Sequence, residues 1–228
     1  MTVVVGRLRS AVDRLPLGRR TFARVRNRVL STVRATGRVS EVLVNRVLRR
    51  SDHKRWDDAR SLEVWWESRT VQLASLVPPG SRVIEFGAGS CHLPKYLDRC
   101  EYIGSDLVSR ESIGLVCDLN TRPLPDLRDR RLNVAVFAGV LEYVVDVPEV
   151  VHWLAPQVDM AVLSYDAIDS PKWSLRRVEE RSRRRYFGYM NDYEKPAFVR
   201  VFQDAGFHLC REDRWQNQDL YFFKKTGT

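Results

Sequence analysis

One short run constrains this chain more than any other part of it: Val83-Ile84-Glu85-Phe86-Gly87-Ala88-Gly89-Ser90-Cys91. An apolar run, a carboxylate and two glycines stand where a strand would turn into a helix, and the residues from His92 to Leu97 have helical promise. Glycine lacks a Cβ, so Gly87 and Gly89 permit positive φ and a close approach of backbone to a ligand. Glu85, two residues before the first glycine, bears on which ligand that is. A carboxylate there repels a pyrophosphate and suits a cation.

The region after this run alternates short apolar segments with helical ones. Strands are expected over residues 81–86, 101–105, 113–117, 132–138, 160–165, 207–211 and 220–224. Helices are expected over 93–98, 147–154 and 195–205, the last with Asn191 or Asp192 as its cap and Gly206 as its stop. A helix-like segment over 56–76 carries Trp65, Trp66 and Arg69 before Pro78-Pro79-Gly80 breaks it. Such alternation predicts an α/β fold: a Rossmann-like, seven-stranded, mostly parallel sheet with helices on both faces. The last two strands lie close together in sequence and read as an antiparallel pair. In open sheets of this kind, ligands bind outside the carboxyl ends of the strands, and there the polar residues cluster. Glu85, Gly87 and Gly89 end the first strand, Asp106 the second, Asp118 the third, and Ala138-Gly139 begins the turn after the fourth.

Four ordered motifs together resemble the class I S-adenosylmethionine-dependent methyltransferases, over about residues 60–225. Val-Ile-Glu-Phe-Gly-Ala-Gly at 83–89 is similar to the family's first motif and Tyr-Ile-Gly-Ser-Asp at 102–106 to its second. Cys-Asp-Leu at 117–119 is similar to the adenine-contacting step. Asn-Val-Ala-Val-Phe-Ala-Gly-Val-Leu-Glu-Tyr-Val at 133–144 is similar to the fourth-strand motif of the small-molecule branch. The resemblance implies S-adenosylmethionine as cofactor. It implies that Glu85 faces the amino group of the methionine part, that Gly87 and Gly89 admit close backbone approach, and that Asp106 accepts from the ribose hydroxyls. Asp118 and the Leu119 amide would read adenine, Ala138 would line the site, and Arg69 with Trp66 would cap it and hold the methionine carboxylate. Three positions depart from the family pattern. Cys91 stands where a third glycine is frequent, Asn133 where an acid is frequent, and Tyr143 where many relatives have histidine.

The acceptor is less legible. A small-molecule, sugar or lipid-linked acceptor suits the resemblance, with Tyr143, Tyr165 and Tyr189 as candidates to contact it and Asp166 and Asn191 beside them. No residue is assigned as a catalytic base, because methyl transfer from a sulfonium is an in-line displacement that alignment alone accelerates strongly. An insertion over 170–189 carries Trp173 and six arginines, and a basic lid there suits an anionic acceptor. Two other readings compete. One is a catalytically silent module of the same fold that binds a partner; the other is a nicotinamide-dependent oxidoreductase, against which Glu85 and His92 in the turn both count.

Charge separates the amino-terminal segment from the rest. Residues 1–50 hold thirteen arginines, no lysine and two acids, Asp13 and Glu41, and so carry more than the whole formal net charge of +9. We read 1–55 as a basic amphipathic helical extension and 56–228 as the methyltransferase-like domain. Apolar stripes at Leu8, Val12 and Leu15, at Phe22, Val25, Val29 and Val33, and at Val42, Leu43, Val47 and Leu48 have helical spacing. Arginines on the opposite faces suit a peripheral contact with an anionic membrane, a solvated arm, or a targeting segment. Nucleic-acid binding is not expected, since the arm has a single aromatic residue, Phe22, and no recognisable module. The four cysteines have no metal-ligand spacing and suit a reducing compartment, hence a cytoplasmic location.

Overall fold

A computed structural model describes residues 37, 39–58 and 66–225. Seven strands form one sheet in the order β3-β2-β1-β4-β5-β7-β6. They are β1 Arg82–Phe86, β2 Glu101–Asp106, β3 Leu115–Val116, β4 Val134–Ala138, β5 Met160–Tyr165, β6 Phe207–Trp215 and β7 Gln218–Lys225. The first five run parallel, while β7 pairs antiparallel with both β5 and β6. The chain order reverses between β1 and β4, which opens a crevice at their carboxyl ends.

Alternation along the central strands divides the core between the two faces. Ile84, Phe86, Ala135, Phe137, Ala161 and Leu163 pack on one side with residues of α3 (Val147–Leu154) and α5 (Lys195–Asp204). Val83, Val134, Val136 and Val162 pack on the other with Leu73 and Ala74 of α2 (Glu67–Ala74). Because side chains alternate with period two, Glu85 belongs to the α2 face with Val83. That parity places a carboxylate under Arg69 of α2.

Some expected elements differ. The third strand shrinks to two residues, and the helix expected over 93–98 is only a 3-10 turn, Leu93–Tyr96. Within the segment expected to be helical over 56–76, the described residues include the end of α1 (His53–Asp57) and all of α2; Trp65 lies outside the described residues. Among the described residues, no helix is long and apolar enough to cross a membrane.

The insertion forms α4 (Leu175–Tyr186), capped by Ser174. Its arginines divide by burial. Arg184 is fully buried; its Nε donates to Asp192 Oδ1 at 3.0 Å and its Nη1 to the Asp166 carbonyl at 2.5 Å. Arg185 also pairs with Asp192, and Arg177 donates to Glu194 Oε1 at 2.7 Å. These three anchor the helix, since a buried guanidinium without partners would be costly. Asn191 and Asp192 are thereby engaged elsewhere, and the N-cap of α5 falls instead to Glu194.

Candidate cofactor and acceptor site

The glycine turn after β1 is built as its composition requires. Gly87 and Gly89 have φ of +66° and +53°, and Cys91 adopts the same left-handed region at +51°. The cysteine therefore does the conformational work of the missing third glycine. Its Sγ packs against Gly104, where a Cβ would stand 2.9 Å away. No α-helix follows this turn, so the helix N-terminus on which a dinucleotide phosphate would rest is lacking there.

A cavity of about 170 Å³ opens at the crevice, lined by Glu85, Gly87, Ala88, Arg69, Trp66 and Ala138 among others. Glu85 is buried and accepts from the Tyr102 hydroxyl at 2.6 Å. Burial pushes its carboxyl up to about 8, against the lowering effect of Tyr102 and Arg69. Arg69 is 5% exposed, and four groups position it. Its Nη2 donates to the Ala138 carbonyl at 2.9 Å, its Nη1 to Gln218 Oε1 at 3.0 Å, and Trp66 and Trp215 flank the guanidinium. Gly139, at φ +67°, leaves it room: a Cβ there would lie 2.5 Å from Arg69 Nη1. Arg69 Nε is buried with no hydrogen-bond partner. An unpartnered cationic donor and a buried carboxylate lining one small cavity match the two charged groups of an amino acid.

The acids that the resemblance assigns to a nucleoside are in a different condition. Asp106 Oδ2 accepts from Gly89 N at 2.8 Å and Oδ1 from Val108 N at 3.1 Å, with Arg110 Nη1 3.5 Å from Oδ2. Asp118 Oδ1 accepts from Ser51 Oγ and Asn120 N, and its Oδ2 from Thr121 Oγ1, with His53 Nε2 at 3.2 Å. Leu119 is buried beside it, with its carbonyl accepting from Arg122.

A second cavity, about 460 Å³, adjoins the first through Trp66 and Arg69. Tyr143 and Tyr189 line it, their rings edge to face at 5.4 Å. Tyr165 does not. It is fully buried, stacks on Phe198 at 3.9 Å and donates to Asn191 Oδ1, because its position in β5 turns it to the α5 face. Asp166, one residue on, takes the place at the cavity wall. Arg55, Arg183, Tyr186 and Phe187 complete much of the lining. Glu142 lies buried behind Gln218; its Oε1 accepts from Asp166 N at 2.9 Å, and burial pushes it up to about 7.

No protein-family model matches this sequence, and no curated protein sequence matches it. Solved structures do match in fold. Human N-acetylserotonin methyltransferase in complex with SAM is 13% identical, with a TM-score of 0.59 over 85% of this chain and 67% of that one. Burkholderia thailandensis 1,6-didemethyltoxoflavin-N1-methyltransferase, with bound 1,6-didemethyltoxoflavin and S-adenosylhomocysteine, is 12% identical at a TM-score of 0.55, over 82% and 87%. A putative O-methyltransferase from Nostoc punctiforme is 10% identical at 0.60, over 82% and 69%. The fold is the class I methyltransferase fold.

Within the methyltransferase fold, Glu85, Gly87, Arg69 and Ala138 line one cavity, while Gly89, Asp106, Asp118 and Leu119 do not line it. Tyr102, Gln218 and Trp215 escaped sequence reasoning. Strand parity could have revealed Tyr102, since it pairs with Val83 on the neighbouring strand. Gln218 and Trp215 come from the β6–β7 turn, about 150 positions from Arg69, with no local signal. Glu85 leaves a signature in stability. Its folded value near 8 lies above the 4.5 of an exposed carboxyl. The stability it contributes is therefore full below pH 4.5 and is lost as pH rises through 8. In thermal unfolding from pH 5 to 9, the wild type should lose Tm relative to Glu85→Gln, with the gap levelling above pH 8. A constant gap would contradict the burial of an uncharged Glu85.

Proposed function

We propose that this protein is a methyltransferase that transfers the methyl group of S-adenosylmethionine to a small-molecule acceptor. The observation that carries the reading is the pairing of Glu85 with the unpartnered Arg69 Nε across the 170 Å³ cavity. An α-amino and an α-carboxylate group fit that pair. When bound, S-adenosylmethionine supplies an electrophilic methyl on a sulfonium with a neutral thioether leaving group. Glu85 orients the amino end, Arg69 the carboxylate end, and the glycine turn lets backbone lie against the ligand. The methyl would then face the 460 Å³ cavity that shares Trp66 and Arg69. Similar folds serve N-acetylserotonin and 1,6-didemethyltoxoflavin, which supports an acceptor of that size.

The acceptor cavity favours a planar, anionic molecule. Aromatic rings form much of its wall, and Arg55 and Arg183 outnumber Asp166. Burial pushes the Tyr143 phenol up to about 12 and raises Tyr189 as well. Both hydroxyls stay protonated near neutral pH, so they orient an acceptor as donors and do not act as bases. Positioning carries the acceleration.

The binding step has a direct test. Titration calorimetry should detect S-adenosylmethionine binding by the wild type. Gly139→Ala should weaken it about tenfold or more, because the added Cβ displaces Arg69. Absence of binding by a folded wild type would favour the reading as a silent, partner-binding module.

We also propose that the amino-terminal segment contacts an anionic membrane surface. In the helical stretch over 39–47 and the turn that follows, Leu43, Val44, Val47 and Leu48 share one face and are all exposed, with Arg46 and Arg50 close by. Full-length protein should sediment with vesicles rich in anionic lipid and not with neutral ones, and removal of residues 1–50 should abolish it. Equal sedimentation of both forms would sink the proposal.

A further inference from the structure

The segment from Ser51 to Asp57 lies across the candidate nucleoside site and uses the acids that a nucleoside would need. Ser51 Oγ donates to Asp118 Oδ1 at 2.6 Å and also accepts from Asn120 Nδ2 at 2.9 Å. His53 Nε2 stands 3.2 Å from Asp118 Oδ2. With Asn120 N and Thr121 Oγ1, four groups fill an acceptor with about four lone-pair sites. An adenine amino group has no vacancy on Asp118 while this segment is in place.

The same segment reaches the second acid. The Trp56 carbonyl accepts from Arg110 Nη2, and that guanidinium lies 3.5 Å from Asp106 Oδ2. It also reaches the acceptor side. The Trp56 ring meets Tyr143 edge to face at 5.0 Å, Arg55 stacks over both rings, and Arg55 donates to the Phe187 carbonyl beyond α4. Four residues, Ser51, His53, Arg55 and Trp56, thus tie Asp118, Arg110, Tyr143 and the end of the lid helix into one arrangement.

We infer that residues 51–57 form a latch that competes with the nucleoside half of the cofactor, so that cofactor binding requires this segment to leave Asp118. The inference rests on the proposed cofactor, and it goes beyond it by making closed latch and bound nucleoside mutually exclusive. Release of Trp56 frees Arg110 from its carbonyl and uncovers Tyr143, so one displacement acts on both the Asp106 side and the acceptor cavity. The contacts that hold the latch are partly exposed hydrogen bonds, one edge-on ring pair and the stacking of Arg55 on those rings, which suits an element that opens readily.

S-adenosylhomocysteine serves as a non-reacting probe. The double variant Ser51→Ala/His53→Ala removes the latch's side-chain contacts with Asp118 while leaving Asp106, Asp118 and Arg69 intact. It should bind the probe about tenfold more tightly than the wild type by calorimetry, as expected for the loss of competing hydrogen bonds of ordinary strength. In hydrogen exchange on the wild type, amides of 51–57 should exchange faster when the probe is saturating. Equal or weaker binding by the variant, or slower exchange over 51–57, would overturn the latch and make the segment a lid that completes the site. If neither protein binds the probe, the cofactor reading itself falls, and the latch with it.

Discussion

A carboxylate buried at the end of the central strand sets the character of this molecule. Glu85 lies on the same face as Val83, beneath α2, and costs the ligand-free fold something because burial opposes its ionisation. Arg69 faces the same cavity, held by the Ala138 carbonyl, Gln218 and two tryptophans. The arrangement is preorganised for a ligand with one positive and one negative group. It is poorly suited to phosphate, since no helix begins at the glycine turn.

Two other elements depend on that centre. The insertion helix is fixed from below by Arg177, Arg184 and Arg185, so it stands over the acceptor cavity as a rigid wall and presents Arg183 and Tyr186 to it. The amino-terminal segment closes the opposite side through Ser51, His53 and Trp56. The first depends on buried ion pairs that are expensive to break, the second on contacts that exchange with water. The physical contrast assigns them different tasks: one shapes the cavity, the other opens and closes it.

Much of the sheet was legible because each strand announces its ends by polar residues and its faces by period-two alternation. The position of the acids could be read for the same reason, since the carboxyl ends of parallel strands share one edge. Three features were not legible. Tyr165 and Asp166 are neighbours in sequence, and only the pairing of β5 with its neighbours decides which of them enters the core. Arg177, Arg184 and Arg185 look like a solvated basic face until Asp166, Asp192 and Glu194 are brought beneath them. Contacts of Gln218 with Arg69 and of Ser51 with Asp118 span 149 and 67 positions and leave no trace in local pattern. The short third strand and the single 3-10 turn after the glycines show tertiary context overriding local promise.

The central claim is that the cavity beside Glu85 and Arg69 delivers a methyl group to the cavity beside Tyr143 and Tyr189. It is tested most directly by incubating the protein with methyl-labelled S-adenosylmethionine and a fractionated small-molecule extract. The account predicts label in an anionic, ring-containing product, lost when Asp106→Ala replaces the wild type. Cofactor binding without label transfer to any fraction, or transfer unaffected by Asp106→Ala, would contradict it.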